Sequence, residues 1–346
     1  MHQHGASGAG VKKARIIDIA LQAGVSTATV DRVLHQRPGV RQKTVERVME
    51  AIRWLDKAPA RPAVIPAIVA DLEIDVVIAG GAGFSNEALA SELRRVAEAR
   101  GVGLRSAFPQ RMNPEALCDA LERCLADGSA GLIVQPLEHP SVREAIQRLV
   151  QAGVPIVTIL TELPGTQAIG YVGLDNRAAG RAAGLLMGRL ARAPGKVAVF
   201  WGGHLYRSHE EREMGFRAVL REEFPELTLL DAMQGRDDPE RNYRMARELL
   251  EAHDDLRGIY SIGSGNRGIE KAMLESGRKD EVTYIAFNLT PLTKQCLLSG
   301  VIDAVVHQDM ARAAECAVAA LIDNKLGRPV QLERVPVEII MRENLR

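Results

Sequence analysis

The chain has 346 residues, 46% of them apolar, and its 44 Lys and Arg are balanced by 44 Asp and Glu. That length suits two or three domains with sizeable cores. Its apolar runs are strand-sized, which excludes a membrane-spanning helix, so no membrane partner is expected.

The zero net charge is unevenly spread. Residues 12–61 carry eleven basic side chains against five acidic ones. A positive head on a more acidic body favours phosphate binding at that end. Cys118, Cys124, Cys296 and Cys316 have no metal-ligand spacing and read as free thiols of a reducing cytoplasm. No metal, cofactor or catalytic group is expected.

Residues 1–11 begin MHQHGASGAG, lack an apolar core and read as a disordered leader, not a signal peptide. Residues 12–57 then read as three helices. The first places Ile16, Ile17, Ala20 and Ala23 on one side. Gly24 makes a tight turn and Ser26 is the N-cap of a second helix over 27–34. Val30, Val33 and Leu34 form its inner face; Thr27, Ala28, Asp31 and Arg32 face outward. After the breakers Pro38 and Gly39, a third helix over 41–55 buries Val45, Val48, Met49, Ile52 and Leu55. Residues 58–70, with Pro59, Pro62 and Pro66, form a proline-rich linker.

From 71 to 346 strands alternate with helices. Strands are expected at 74–79, 104–108, 131–134, 155–160, 168–173, 197–201, 227–232, 258–262, 282–287, 304–307 and 335–341, with amphipathic helices between most of them. This is an α/β pattern of parallel sheets covered on both faces. Eleven strands are many for one open sheet. Two doubly wound subdomains with a ligand cleft between them fit better, about 71–170 with 309–330, and 171–308 with 331–346.

The run D-I-A-x-x-A-G-V-S-x-x-T-V-x-R-V-L, from Asp18 to Leu34, resembles the helix-turn-helix head of the lactose-repressor (LacI/GalR) family. The body is similar to that family's effector domain, which has the type I periplasmic-binding-protein fold with three crossovers. The resemblance implies a homodimeric transcription regulator, a repressor, that binds a palindromic double-stranded DNA operator and is switched by a small sugar-like effector. Two heads on a two-fold axis would match a palindrome.

Roles in the head follow residue by residue. Arg32 is the candidate base contact, since guanidinium bonds guanine O6 and N7 together; a phosphate contact or a surface ion pair is the alternative. Thr27 and Ala28 occupy the family's variable reading positions. Ser26, Thr29, Arg41, Lys43 and Thr44 suit phosphate contacts. Asp31 stands where the family has Ser or Thr, and is expected either to accept from a cytosine amino group or to orient Arg32. His35 replaces a common Asn. Family members follow the head with a hinge helix whose Leu enters the minor groove. Here Val64 and Ile65 keep apolar character among prolines, so Ile65 is the candidate wedge of a weaker or different insertion.

Ligands of open parallel sheets sit at the carboxyl ends of the strands. Those ends supply Phe84 and Asn86, then Thr161, then Tyr206, Ser208 and Arg212, then Asn266, Asn288 and Gln308. Arg212 matches the family's ligand-gripping Arg, three residues before Gly215-Phe216. Asn288 stands where sugar binders carry Asp, and so does Leu160. Amides, one Arg and aromatics suit a sugar, a polyol or a mildly acidic relative. Two alternatives remain at this point. One is an enzyme, since residues 81–86 resemble a nucleotide-binding loop, although Asn86 replaces its third Gly. The other is a transported-ligand binding protein, against which the basic head argues.

Overall fold

The computed structural model describes residues 19–20, 23–35, 37–57, 72–80, 84–332 and 334–345. Two compact units divide the chain, residues 1–64 and 65–346, and each is described by itself.

In the first unit, α1 (Thr27–Leu34) and α2 (Gln42–Lys57) follow helical residues 19–20 and 23. Ile19, Ala20, Ala23, Val30, Val33, Val48 and Ala51 form one small core. Gly24 turns the chain with φ +60°, a region open to glycine. Arg47 on α2 fastens this turn, donating from Nη2 to the carbonyls of Ala23 and Gly24. Leu34 and Met49, expected inside, are 42% and 43% exposed. Leu34 is the last residue of α1, and Val30 and Val33 already fill the core on that side.

The second unit contains two sheets. The first has the order β2-β1-β3-β4-β5, all parallel. Its strands are β1 (Glu73–Val77), β2 (Gly103–Ala107), β3 (Leu132–Val134), β4 (Ile156–Ile159) and β5 (Gly170–Val172). The helices α3 (Phe84–Ala99), α4 (Pro114–Ala126) and α5 (Pro140–Gln151) alternate with them. The second sheet holds β6 (Gly195–Trp201), β7 (Leu227–Leu229), β8 (Met233–Gln234), β9 (Leu256–Ser261), β10 (Thr283–Phe287), β11 (Ala304–Gln308) and β12 (Val337–Ile340). Its order is β12-β11-β10-β9-β6-β7, with β8 also on β6 and only β12 antiparallel. Its helices are α6 (Asn176–Leu190), α7 (Arg207–Glu223), α8 (Pro239–Ala252), α9 (Asn266–Ser276) and α10 (Pro291–Leu298). A last helix, α11 (Met310–Lys325), returns to the first sheet, where Met310, Ala313, Ala314, Ala317 and Leu321 join its core. The chain therefore passes between the lobes three times: after β5, after β11 and before β12.

Inner strands such as β1, β3, β4 and β10 are short and largely buried because helices cover both faces. Val76, Ile78 and Ile133 point to one face of the first sheet; Val77, Leu132 and Val134 point to the other. One polar pair is built in. Asp75 on β1 is register partner of Arg105 on β2 and accepts from its Nε at 2.9 Å and Nη2 at 2.7 Å. This bidentate carboxylate contact raises the Arg105 pKa. The sequence expected eleven strands. The twelfth, β8, is two residues long and too brief to show alternation.

In each sheet the strand order reverses beside the first strand in sequence, β1 or β6. Such reversals open a crevice beyond the carboxyl ends of the strands. No helix among the described residues is long and apolar enough to cross a membrane. The four cysteines are free thiols; burial pushes that of Cys124 up to about 11.

Candidate DNA-reading head and ligand cleft

The short helix α1 begins at Ser26, whose Oγ accepts from the Thr29 N–H at 3.2 Å and lies 2.9 Å from Thr29 Oγ1. Thr27, Ala28, Arg32, Arg41 and Lys43 are exposed; Thr29 and Thr44 are half-buried. Asp31 does not orient Arg32. Its Oδ2 accepts from Arg37 Nη1 at 3.2 Å and its Oδ1 lies 3.0 Å from His35 Nδ1. Arg32 has no ion-pair partner among the described residues. Helical geometry explains this: positions 31 and 35 are neighbours on one face, whereas 31 and 32 are not. The expected wedge Ile65 and the linker lie outside the described residues.

In the second unit a half-open cavity of about 540 Å³, including its solvent-open part, lies at the carboxyl ends of both sheets. The first lobe contributes Ser85 and Asn86 after β1, Arg111 after β2, Gln135 after β3 and Leu160 after β4. The second contributes Tyr206, Ser208, His209 and Arg212 after β6, Asp237 after β8, and Gly263 and Ser264 after β9. Phe287 and Asn288 follow from β10 and Met310 from β11.

Backbone groups fix how the cavity's amides point. Asn86 Nδ2 donates to the Ala79 carbonyl at 2.8 Å and to Gln135 Oε1 at 3.0 Å, and Gln135 Oε1 also accepts from the Ala79 N–H at 3.2 Å. Asn288 Oδ1 accepts from the N–H groups of Gln308 at 2.9 Å and Leu289 at 3.2 Å. Among the described residues, the ends of these three amides without a partner are the Asn86 carbonyl and the NH₂ groups of Gln135 and Asn288.

Arg212 is 4% exposed. Its Nε donates to Asn176 Oδ1 at 2.8 Å and its Nη1 to the Ile262 carbonyl at 3.0 Å. Its guanidinium carbon lies 3.6 Å from the Phe287 ring centroid. Burial lowers its pKa. His209 Nδ1 accepts from the Gly202 N–H at 3.0 Å. Burial, reinforced by Arg212 and Arg111 against the opposing pull of Asp237, brings its pKa down to about 4. The ring is therefore neutral at pH 7, with its proton on Nε2.

Polar contacts couple the lobes directly, among them that of the Glu138 N–H, which donates to the Leu205 carbonyl at 2.9 Å. Arg111 Nη1 lies 3.1 Å from Asp237 Oδ2, and Thr161 Oγ1 accepts from the Ser208 N–H at 3.2 Å.

The cavity thus brings together five of the nine expected ligand residues: Asn86, Tyr206, Ser208, Arg212 and Asn288. Thr161 serves the lobe contact. Asn266 is occupied internally, donating to the Phe287 carbonyl at 3.3 Å and accepting from Tyr284 Oη at 2.9 Å. Gln308 is fully buried behind Asn288, and neither end of its amide has a protein partner among the described residues. Phe84 starts α3, and its side chain lies outside the described set.

Residues 76–329 match the family described as periplasmic binding protein domain, and residues 15–59 match the bacterial regulatory proteins of the lacI family. The chain is a lacI-family regulator with a periplasmic-binding-protein body. Curated relatives include the ribose import binding protein RbsB of Escherichia coli (strain K12), 24% identical over 183 residues, covering 52% of this chain and 60% of that protein. Its counterpart in Salmonella typhimurium is 25% identical over 184 residues, with the same coverage. The regulator thus aligns with only about three-fifths of the length of these relatives. Among solved structures, the glucose-galactose binding protein GanP from Geobacillus stearothermophilus has a TM-score of 0.73 at 22% identity, covering 80% of this chain and 99% of that one. A solute binding protein from Burkholderia graminis in complex with D-arabinose has a TM-score of 0.74 at 22% identity, with coverage of 80% and 97%. These likenesses establish the fold of the body. Neither matched family is one of enzymes.

The sequence reading missed Arg111, Gln135, His209, Asp237 and Phe287. Gln135 was within reach, since it directly follows a strand-like run. Asp237 was not, because it follows the two-residue β8 and takes a left-handed φ of +56°.

Proposed function

We propose that the regulator binds a palindromic operator as a cytoplasmic homodimer, represses from it, and is switched by a sugar, polyol or sugar acid in the cleft. The observation that carries the effector reading is the buried Arg212 lying on Phe287 among backbone-oriented amides. A planar cation on a ring, flanked by fixed amides, suits a hydroxyl-rich small molecule. The names of the curated relatives, ribose import binding proteins, point the same way. On the DNA side, Thr27, Ala28 and Arg32 read bases, while Ser26, Thr29, Arg41, Lys43 and Thr44 hold phosphates. Effector binding stabilises one arrangement of the lobes through Arg111–Asp237 and Thr161–Ser208, and the dimer passes this difference to the heads.

The test is footprinting of the full chain on DNA flanking its own gene, with and without a panel of sugars, polyols and sugar acids. Protection of an inverted repeat, relieved by one of them, is the expected result. Protection that no panel member alters would sink the effector reading. Protection of a single asymmetric half-site would sink the dimer.

A further inference from the structure

The charges around the cleft do not balance. Arg111 and Asp237 neutralise each other at 3.1 Å. Asp237 is the only acid among the described residues that line the cavity, and its second oxygen accepts from the Ser264 N–H at 2.8 Å. Arg212 has no carboxylate within ion-pair distance among the described residues. Glu211, its neighbour in sequence, is turned to Arg207 at 2.8 Å. One buried positive charge is left over.

Hydrogen-bonding capacity is skewed the same way. Two of the five Arg212 N–H donors are used inside the protein, which leaves three. His209 offers Nε2–H because its Nδ1 is occupied. Gln135 and Asn288 offer NH₂ ends, because backbone N–H groups hold their oxygens. Against these, the Asn86 carbonyl is the one fixed side-chain acceptor of the amide set.

We propose that the effector is a polyhydroxylated monoanion of the sugar-acid class, its carboxylate held by the free edge of Arg212 with His209 and its hydroxyls by Asn86, Gln135 and Asn288. A planar fork matches a carboxylate, and one negative charge cancels the one left over. A dianionic phosphate ester would leave an excess negative charge buried. Asn288 decides the matter: an aspartate there would supply the missing charge from the protein, and the amide leaves it to the ligand. This inference rests on the sugar-type effector reading and narrows it.

The experiment is isothermal titration of the full-length protein with matched neutral and acidic probes: D-galactose and D-galacturonate, D-glucose and D-gluconate, D-ribose and D-ribonate. Succinate and benzoate serve as carboxylates without hydroxyls. At least one acid should bind at least about tenfold more tightly than its neutral partner, and Asn288→Asp, which has nearly the same shape, should reverse that order. A neutral sugar binding as tightly as its acid overturns the inference and leaves the sugar-type reading standing. Binding of succinate or benzoate alone overturns both, as does silence from every probe.

Discussion

Arg212 lies over Phe287, its guanidinium carbon 3.6 Å from the ring centroid, while Asn176 and the Ile262 carbonyl hold its inner edge. The ring comes from β10 and the cation from α7, so the pair joins two elements at the carboxyl end of one sheet. Arg212→Lys keeps the charge and loses the fork. It should weaken effector binding by about 2–4 kcal/mol. Phe287→Leu should cost about 1 kcal/mol through the lost stacking. Calorimetry on both variants with the wild-type effector is the measurement; equal affinity of Arg212→Lys and wild type would remove Arg212 from the site.

A second prediction concerns how α7 is brought into position. A Cβ on Gly180 of α6 would lie 2.0 Å from the Arg212 carbonyl oxygen, and one on Gly215 would lie 2.2 Å from the Arg177 carbonyl oxygen. The two helices touch backbone to backbone there, and neither backbone can yield without moving Arg212. Gly180→Ala should lower stability by about 1–3 kcal/mol and weaken effector binding as well. Thermal melts and calorimetry on the same preparation separate the two effects. A destabilised variant with unaltered affinity would show that helix spacing does not position the arginine.

Much of this was legible in the chain. Apolar runs of strand length alternating with amphipathic stretches placed β1 to β7 and β9 to β12 within a few residues, because parallel strands buried on both faces leave an uninterrupted apolar signature. The rule that ligands gather at strand ends then led to Asn86, Tyr206, Ser208, Arg212 and Asn288, all of which line the cavity. It failed at Asn266, which stands at a strand end like the others but spends its amide on Tyr284 and the Phe287 carbonyl. Those partners are 18 and 21 residues away in sequence, and only the fold brings them near. The expected orienting of Arg32 by Asp31 failed for another reason. Two partners compete for its carboxylate, and the helical neighbour His35 and the loop residue Arg37 win over adjacent Arg32.

The neutral His209 makes stability depend on pH. Its folded-state pKa of about 4 lies below the ordinary histidine value near 6.5. Above pH 6.5 neither state binds the proton, and the residue contributes no pH dependence. As pH falls from 6.5 to 4 the unfolded chain takes up a proton that the folded chain refuses, so stability drops, by about 3 kcal/mol at the low end. His209→Gln retains an acceptor for the Gly202 N–H and does not titrate. Urea melts between pH 7 and 4.5 should therefore fall less steeply for the variant than for the wild type. Parallel curves would mean that the ring takes up its proton as readily in the folded protein as in the unfolded chain.

In the head, Asp31 places a carboxylate on the helix expected to meet DNA, where phosphates would repel it. Arg37 offsets that charge at 3.2 Å, and His35 Nδ1 lies 3.0 Å from the same carboxylate. All three side chains are substantially exposed, so the pair adds little to folding; its effect belongs to binding. Arg37→Ala should weaken operator and non-operator DNA alike, because it uncovers a charge without removing a base contact. Asp31→Asn in that background should restore most of the loss. Arg32→Ala should behave differently, costing about 1–3 kcal/mol on the operator and little on random DNA. Anisotropy titrations with operator and scrambled duplexes at two salt concentrations distinguish the cases. If Arg37→Ala changed specificity and Arg32→Ala did not, the two arginines would have to exchange roles, and the loop after α1 would be the reading element.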